Sequence, residues 1–349
     1  MKPSKRLVIF LILSVLGISF TFYGYQILYT PNVLLEQSPR VLIIPEDATF
    51  KSLQKQLHDG EYVNDLVSFS FLARLMDYDK AIKPGRYVLQ GDMNNLSAIR
   101  LLRSGNQVPV NITFNNIRTL DELADKITKN LIISPAEFTA ALQKFVAANP
   151  YGFTRDNVIA IFIPNTYQVY YNLTAEELIE RMYFEYDKFW NEVRKEKAKE
   201  AGLTPIEVSI LASIVQAETI KKDEAPVIAG LYINRLKKGI PLQADPTLKF
   251  ALGDFTIKRI LNVHKEVESP YNTYKHAGLP PGPINMPEIH SLEAVLDYTK
   301  SDYYYMCAKE DFSGYHNFSN SHQEHIRNAA RYQQALTIEQ RKARQKQRN

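Results

Sequence analysis

From Leu7 to Leu35 the chain carries no charged side chain, and Leu7 to Tyr25 is almost entirely apolar. At about 1.5 Å per residue, some 19 helical residues nearly cover the roughly 30 Å hydrocarbon core of a bilayer. Lys2, Lys5 and Arg6 precede the run, which predicts that a short N-terminus stays in the cytoplasm. Tyr23, Tyr25 and Tyr29 suit the outer interface. The rival is a cleaved signal peptide, whose apolar region is about 7–15 residues long and ends in small residues. This stretch is longer and ends in Tyr, Gln and Leu, so an uncleaved anchor is expected, with everything after about Thr30 outside the cytoplasm.

The rest of the chain reads as globular. Hydrophobic residues make up 45% and charged residues 23% of 349, which excludes a disordered, collagen-like or polytopic membrane protein. The formal charge of +4 invites a nucleic-acid reading. Its location argues otherwise: five Lys or Arg fall in Arg341 to Asn349 and three in the first six residues. Taking those eight away from +4 leaves the body at −4. A basic body is what nucleic-acid binding needs, so that partner is excluded. The lone cysteine, Cys307, excludes an internal disulfide and a Cys-rich metal site. Within the strand-like run Tyr303 to Ala308 it is expected as a buried small hydrophobe and not a catalytic thiolate.

Thr30 to Arg40 reads as a linker, with Pro31, Asn32, Ser38 and Pro39 as breakers. Val41–Ile44 is a short strand. Thr49 caps a helix through about His58, Phe69–Met76 is a second helix, and Arg86–Leu89 is an alternating strand. Ser97–Arg103 is helical and stopped by Gly105. Val108–Phe114 alternates like a strand, and Thr119–Asn130 and Ser134–Ala147 are amphipathic helices. One helix is expected over Thr174–Lys199, with a module boundary near residues 188 to 204.

Thr204-Pro205-Ile206-Glu207 supplies a cap, a Pro at the first helical position and a Glu three residues after the cap. The helix it opens has an apolar stripe of Ile210, Leu211, Ile214 and Val215. Glu218 falls on that stripe, whereas Glu207 and Gln216 fall off it. A carboxylate there is partly desolvated, which raises its pKa toward what a general acid needs. The structural alternative is a helix that simply ends and turns Glu218 to solvent.

Ala225–Lys238 forms the next helix, with Asn234 as a polar group on an apolar stripe that either meets a ligand or ties two helices. Then come Leu242-Gln243-Ala244-Asp245-Pro246-Thr247, Tyr271-Asn272-Thr273-Tyr274 and Gly278 to Ile284. Aromatics beside amides and hydroxyls suit the face and edge of a sugar ring, and they also occur in plain rigid turns.

In this order, Ala212-Ser213-Ile214-Val215 running to Glu218-Thr219, Ile233-Asn234-Arg235-Leu236, Gln243 with Asp245-Pro246-Thr247, Tyr271 to Tyr274 and Gly278 to Ile284 resemble the YceG-like family of endolytic murein transglycosylases. The resemblance covers nearly the whole chain. It implies an α+β fold: a single N-terminal transmembrane helix, a LysM-like β-α-α-β subdomain and a mixed α/β catalytic domain. The expected division is 1–6 cytoplasmic, 7–29 anchor, 30–40 linker, and 41–188 N-terminal module with the LysM-like part at about 41–105. The catalytic domain then runs over 189–340 and a basic tail over 341–349.

The resemblance also implies a single-pass enzyme of the cell (inner) membrane that cuts nascent peptidoglycan glycan strands, with synthases as neighbours and no metal or organic cofactor. Its catalytic glutamate falls on Glu218. The family's V-E-x-E pattern has Gln216 here at the first Glu, and its F-P-D-T-Y is Ile163-Pro164-Asn165-Thr166-Tyr167, so Asn165 receives no catalytic role. His316, Phe318 and His325 match a late H-x-F…H pattern, with a structural hydrogen bond expected for His325.

The implied reaction needs one carboxylate. Neutral Glu218 protonates the glycosidic oxygen, then accepts the proton of the C6 hydroxyl as it closes on C1 of the same N-acetylmuramic acid ring. A 1,6-anhydro end results. Gln243, Asp245, Thr247, Tyr271, Asn272, Thr273 and Tyr274, together with Asn234, are the expected substrate-binding residues. Asp245 either stabilises oxocarbenium charge or caps a turn before Pro246. Two alternatives stand beside this: a muramidase-type hydrolase using Glu218 and Asp245, and a membrane-tethered peptidoglycan-binding scaffold without catalysis.

Overall fold

The computed structural model describes residues 4–34 and 39–348. The first half of the N-terminal flank (with Lys2), residues 35–38 of the linker and the last residue of the tail lie outside the described residues. The chain divides into two compact units. The first holds residues 1–112, 130–134 and 167–174; the second holds 113–129, 135–166 and 175–349.

In the first unit, Ser4 caps a helix over Lys5–Tyr29. It is long and apolar enough to cross a membrane, with a mean hydropathy of 2.3 over its most apolar window and none of that window buried by protein. Its last turn behaves differently. Ile27 is buried, and its carbonyl accepts a hydrogen bond from the Asn95 side chain at 3.0 Å. Asn95 also accepts from Asn32 at 2.6 Å and donates to Ser68 at 3.0 Å. Asn32 exchanges two further bonds with the backbone of Asp65. The helix end is therefore fastened to the unit by a buried amide network whose polar groups satisfy one another.

The expected β-α-α-β order is present. Strand Arg40–Ile44 pairs antiparallel with Gly85–Leu89, Val41 opposite Val88. Between them lie helices Phe50–Asp59 and Leu66–Leu75. The latter begins earlier than the expected Phe69, because the Asp65 carboxylate caps the amides of Val67 and Ser68. Helix Asn95–Ser104 follows and ends at Gly105 with φ +75°. Alternating burial along Gly85–Leu89 buries Tyr87 and Leu89 against Leu42, Ile44, Leu53, Leu57 and Phe69.

The second unit is mostly helical. The boundary expected at 188/189 is not where the chain divides. Helices Leu120–Thr128 and Pro135–Ala148 belong with the residues after 188, because the segment around them bonds there. The amide of Met286 donates to Ile117 at 2.7 Å, and the Arg118 guanidinium lies 4.4 Å over the Phe255 ring. The single helix expected over Thr174–Lys199 is two, Ala175–Phe189 and Glu192–Ala201. Trp190 is buried at the break, Asn191 caps the second helix, and the Arg194 guanidinium donates to the Phe189 carbonyl. A buried indole followed by an N-cap amide outweighs helix periodicity here.

Pro205–Glu218 is the central helix of this unit. Its start is as expected: Thr204 and Glu207 form a reciprocal capping box behind Pro205. Beyond the expected stripe, every residue from Val208 to Val215 is buried. Helices Ile289–Leu296, Ala225–Lys237, Asp245–Leu252 and Glu192–Ala201 pack around it. A two-stranded hairpin, Tyr305–Ala308 with His316–Ser319, leads into helix His322–Arg348.

Candidate functional site

Glu218 is the last residue of the central helix, and the backbone turns extended at Thr219. Its carboxylate borders a cleft of about 490 Å³ in the second unit. The helix is buried all round for two turns, so its end is the first place where one of its side chains meets the cleft. Packed surroundings disfavour the charged carboxylate and push its pKa up to about 7, aided by the like charge of Asp245; the Tyr232 hydrogen bond and Lys249 oppose this.

Tyr232 is the closest partner: its hydroxyl donates to Glu218 Oε1 at 2.8 Å. It sits on helix Ala225–Lys237, which also supplies Arg235. Arg235 is buried and has no carboxylate partner among the described residues. It donates to the carbonyls of Pro241 (2.9 Å) and Tyr304 (2.8 Å) and to Gln243 Oε1 (2.7 Å). Burial lowers its pKa. Neither Tyr232 nor Arg235 was singled out for a role by sequence reasoning; Arg235 stood only as a motif letter.

Three of the expected substrate-binding residues line the cleft: Gln243, Asp245 and Tyr274. Gln243 adopts φ +54°, uncommon for a side chain with a Cβ. It is held there by its amide bond to the Thr273 carbonyl and by Arg235. Asp245 opens helix Asp245–Leu252 and accepts from the Tyr274 hydroxyl at 2.5 Å. It is the first residue of the helix, with Ala244 in the cap position. Lys265 lies 4.8 Å over the Tyr274 ring on the same wall.

The other five do not line the cleft. Asn234 spends its amide on the carbonyls of Ser301 and Tyr303. Thr247 and Thr273 are buried and share a hydroxyl contact of 2.8 Å, and Thr273 also accepts from the Ala244 amide. Asn272 is buried and donates to Lys265 and Val267 carbonyls. Tyr271 packs at a tilt against Phe250, 4.7 Å between centroids. These residues shape the loops that present Gln243, Asp245 and Tyr274. Backbone carbonyls satisfy side-chain amides as well as a sugar does, which is why composition did not separate the two groups.

Gln216 lies off the expected stripe yet is half-buried and fully engaged. It donates to Asn285 Oδ1 and accepts from the Glu288 amide (2.6 Å) and the Ser291 hydroxyl (3.1 Å). An amide satisfies donors and acceptors at once, which a carboxylate at this position would not. Ser213 adds a strap, accepting from the Ile284 amide and, through its carbonyl, from Asn285.

The far wall is the hairpin. His316 lines the cleft, and its Nδ1 lies 2.9 Å from Glu224 Oε2. Glu224, itself buried, also accepts the His316 backbone amide at 2.7 Å and the Thr219 hydroxyl at 3.1 Å. No sequence signal pointed to Glu224. His325 makes no structural hydrogen bond through Nδ1 among the described residues. It stacks on Tyr305 at 5.3 Å instead, and burial lowers its pKa. Cys307 is half-buried at the cleft edge rather than in the core; burial raises its thiol pKa, which disfavours a thiolate.

A family model described as "YceG-like family" matches residues 42–331. Proteins named endolytic murein transglycosylase are similar to the chain. One from Streptococcus pneumoniae (strain ATCC BAA-255 / R6) is 26% identical over 89% of this chain and 62% of its own length. One from Bacillus subtilis (strain 168) is 40% identical over 34% of this chain and 33% of its own. The chain thus spans about 62% of the length of the pneumococcal relative. A crystal structure of a yceG-like protein from Listeria monocytogenes superposes with a TM-score of 0.53 at 27% identity, covering 82% of this chain and 98% of that one.

Proposed function

Because the chain belongs to the YceG-like family, we propose that it is an endolytic lytic transglycosylase. It cleaves the bond between N-acetylmuramic acid and N-acetylglucosamine in nascent peptidoglycan and leaves a 1,6-anhydro end. The observation that carries this is a carboxyl group bordering a cleft, with burial pushing its pKa up to about 7, into the range a general acid needs at neutral pH.

Neutral Glu218 donates its proton to the glycosidic oxygen. The C1–O bond breaks, and positive charge develops at C1. Glu218, now ionised and steadied by the Tyr232 hydroxyl, accepts the C6 hydroxyl proton as O6 bonds to C1. The carboxyl ends protonated, as it began. Each proton transfer contributes about 10²–10⁴-fold. Gln243, Asp245 and Tyr274 bind the glycan directly; Thr247, Tyr271, Asn272, Thr273 and Asn234 hold the surrounding backbone. The helix Lys5–Tyr29 serves as a single-pass anchor with the second unit outside the cytoplasm. There the enzyme works beside the synthases that extend new strands. The β-α-α-β segment acts as a LysM-like spacer or glycan-binding element.

Asp245 in the same cleft favours one second reading, a hydrolase in which it activates water. Mass spectrometry of products from uncrosslinked glycan separates the two. Ends lacking one water are expected, and reducing ends alone would overturn the transglycosylase assignment.

The protonated carboxyl is the working form, so activity falls as pH rises through about 7. The Tyr232 hydrogen bond favours the ionised form. Tyr232→Phe therefore raises the Glu218 pKa, and the alkaline limb of kcat/KM moves to higher pH. A limb that stays in place or moves down would show that Glu218 does not set it.

A further inference from the structure

His316 has no role in the reaction as described, yet it is built into the cleft with more care than most of its lining. Its Nδ1 faces the buried Glu224 carboxylate, whose acceptor oxygens also take its own backbone amide and the hydroxyl of Thr219. A carboxylate only accepts, so Nδ1 carries the hydrogen, and in the neutral form of the ring Nε2 is an acceptor. That nitrogen has no protein partner among the described residues, and the residue borders the same cleft as Glu218.

The strand opposite supplies the complement. Ala308 is the register partner of His316, and Met306 that of Phe318. Directly opposed residues of an antiparallel pair share a face, as do residues two apart. Ala308 and Met306 thus stand beside His316, and both line the cleft. A fixed acceptor next to a small apolar wall matches one substituent of an N-acetylated sugar: an amide N–H with a methyl group attached through its carbonyl. A hydroxyl satisfies the acceptor and leaves the apolar wall unused.

We infer that His316, held by Glu224, and the facing Ala308 and Met306 form an acetamido subsite that selects N-acetylated sugars. The inference rests on the glycan reading of the cleft but not on turnover. Its test is a binding measurement, calorimetry of the full chain in detergent with the N-acetylglucosamine tetramer and the glucosamine tetramer as probes.

The wild-type chain prefers the acetylated tetramer by about tenfold or more, the scale of one lost apolar group plus an unpaired polar one. Ala308→Leu fills the methyl position, and His316→Ala removes the acceptor; each brings the preference to near unity. His316→Gln, whose amide oxygen also accepts, retains part of it and guards against a folding artefact of the alanine variant. The glucosamine tetramer also differs in charge, and any discrimination by the charged residues of the cleft, Glu218, Asp245, Arg235 and Lys265, is independent of His316 and Ala308. A preference that survives in both Ala308→Leu and His316→Ala is thus a charge effect and overturns the subsite, as does no preference in the wild type. A chain that binds as expected yet releases no anhydro ends would overturn the proposed reaction and leave the subsite standing.

Discussion

Glu218→Gln lowers the rate of glycan cleavage by at least about 10²–10⁴-fold while leaving the fold intact. The amide is nearly isosteric and still accepts from the Tyr232 hydroxyl, so the end of the central helix keeps its partner. What it loses is the proton that the proposed mechanism delivers to the glycosidic oxygen. Glu218→Asp keeps the chemistry and withdraws the carboxyl by one methylene, a displacement of about 1 Å that costs on the order of 10²-fold where geometry governs the step. Anhydro ends are counted by mass spectrometry, and thermal unfolding of each variant is recorded in parallel. Wild-type rates from Glu218→Gln would remove this residue from the mechanism.

The second large effect is structural. Gly230 lies within the helix that carries Tyr232 and Arg235, and a Cβ there would overlap the carbonyl oxygen of Thr299. Thr299 cannot easily withdraw, because its amide donates to the Pro226 carbonyl at 2.9 Å on the same helix. In an open helix, Gly→Ala stabilises by about 1 kcal/mol. Here the sign reverses. Gly230→Ala is expected to destabilise the second unit by about 3 kcal/mol, the upper end for overpacking against an obstacle that is backbone. Denaturant unfolding reads the change, and a gain in stability would show that the helix and the Thr299 segment separate freely. Because Tyr232 lies half a turn further on, cleavage falls as well.

Local signals were read well from the sequence. The capping box at Thr204 and Glu207 and the uncharged N-terminal run are both short-range patterns, and both have counterparts in the structure. Glu218 was singled out by its spacing from Ile210, Leu211, Ile214 and Val215. The structure adds a reason that spacing did not supply: the helix is buried on all sides over Val208 to Val215, so its end matters more than its stripe.

Partners distant in the chain were invisible. Glu224 and His316 are 92 residues apart, and no periodicity links them. Asn234 and Thr273 looked like sugar-binding residues because their chemistry suits sugars; the Ser301 carbonyl and the Ala244 amide that engage them belong to segments brought in only by folding. The break at Trp190 and Asn191 escaped because the charged pattern on either side continues the helical period across it.

The amide network at the end of the N-terminal helix has a mechanical consequence. A domain on a flexible leash samples every tilt and height that its tether permits. Here Asn95 grips the carbonyl of Ile27 inside the last turn, and Asn32 locks the exit to Asp65. The first unit is therefore geared to the helix: when the helix spins or leans, the unit turns with it. With that helix as the proposed anchor, the first unit moves by lateral diffusion and by rotation about the membrane normal, at a standoff fixed by folding.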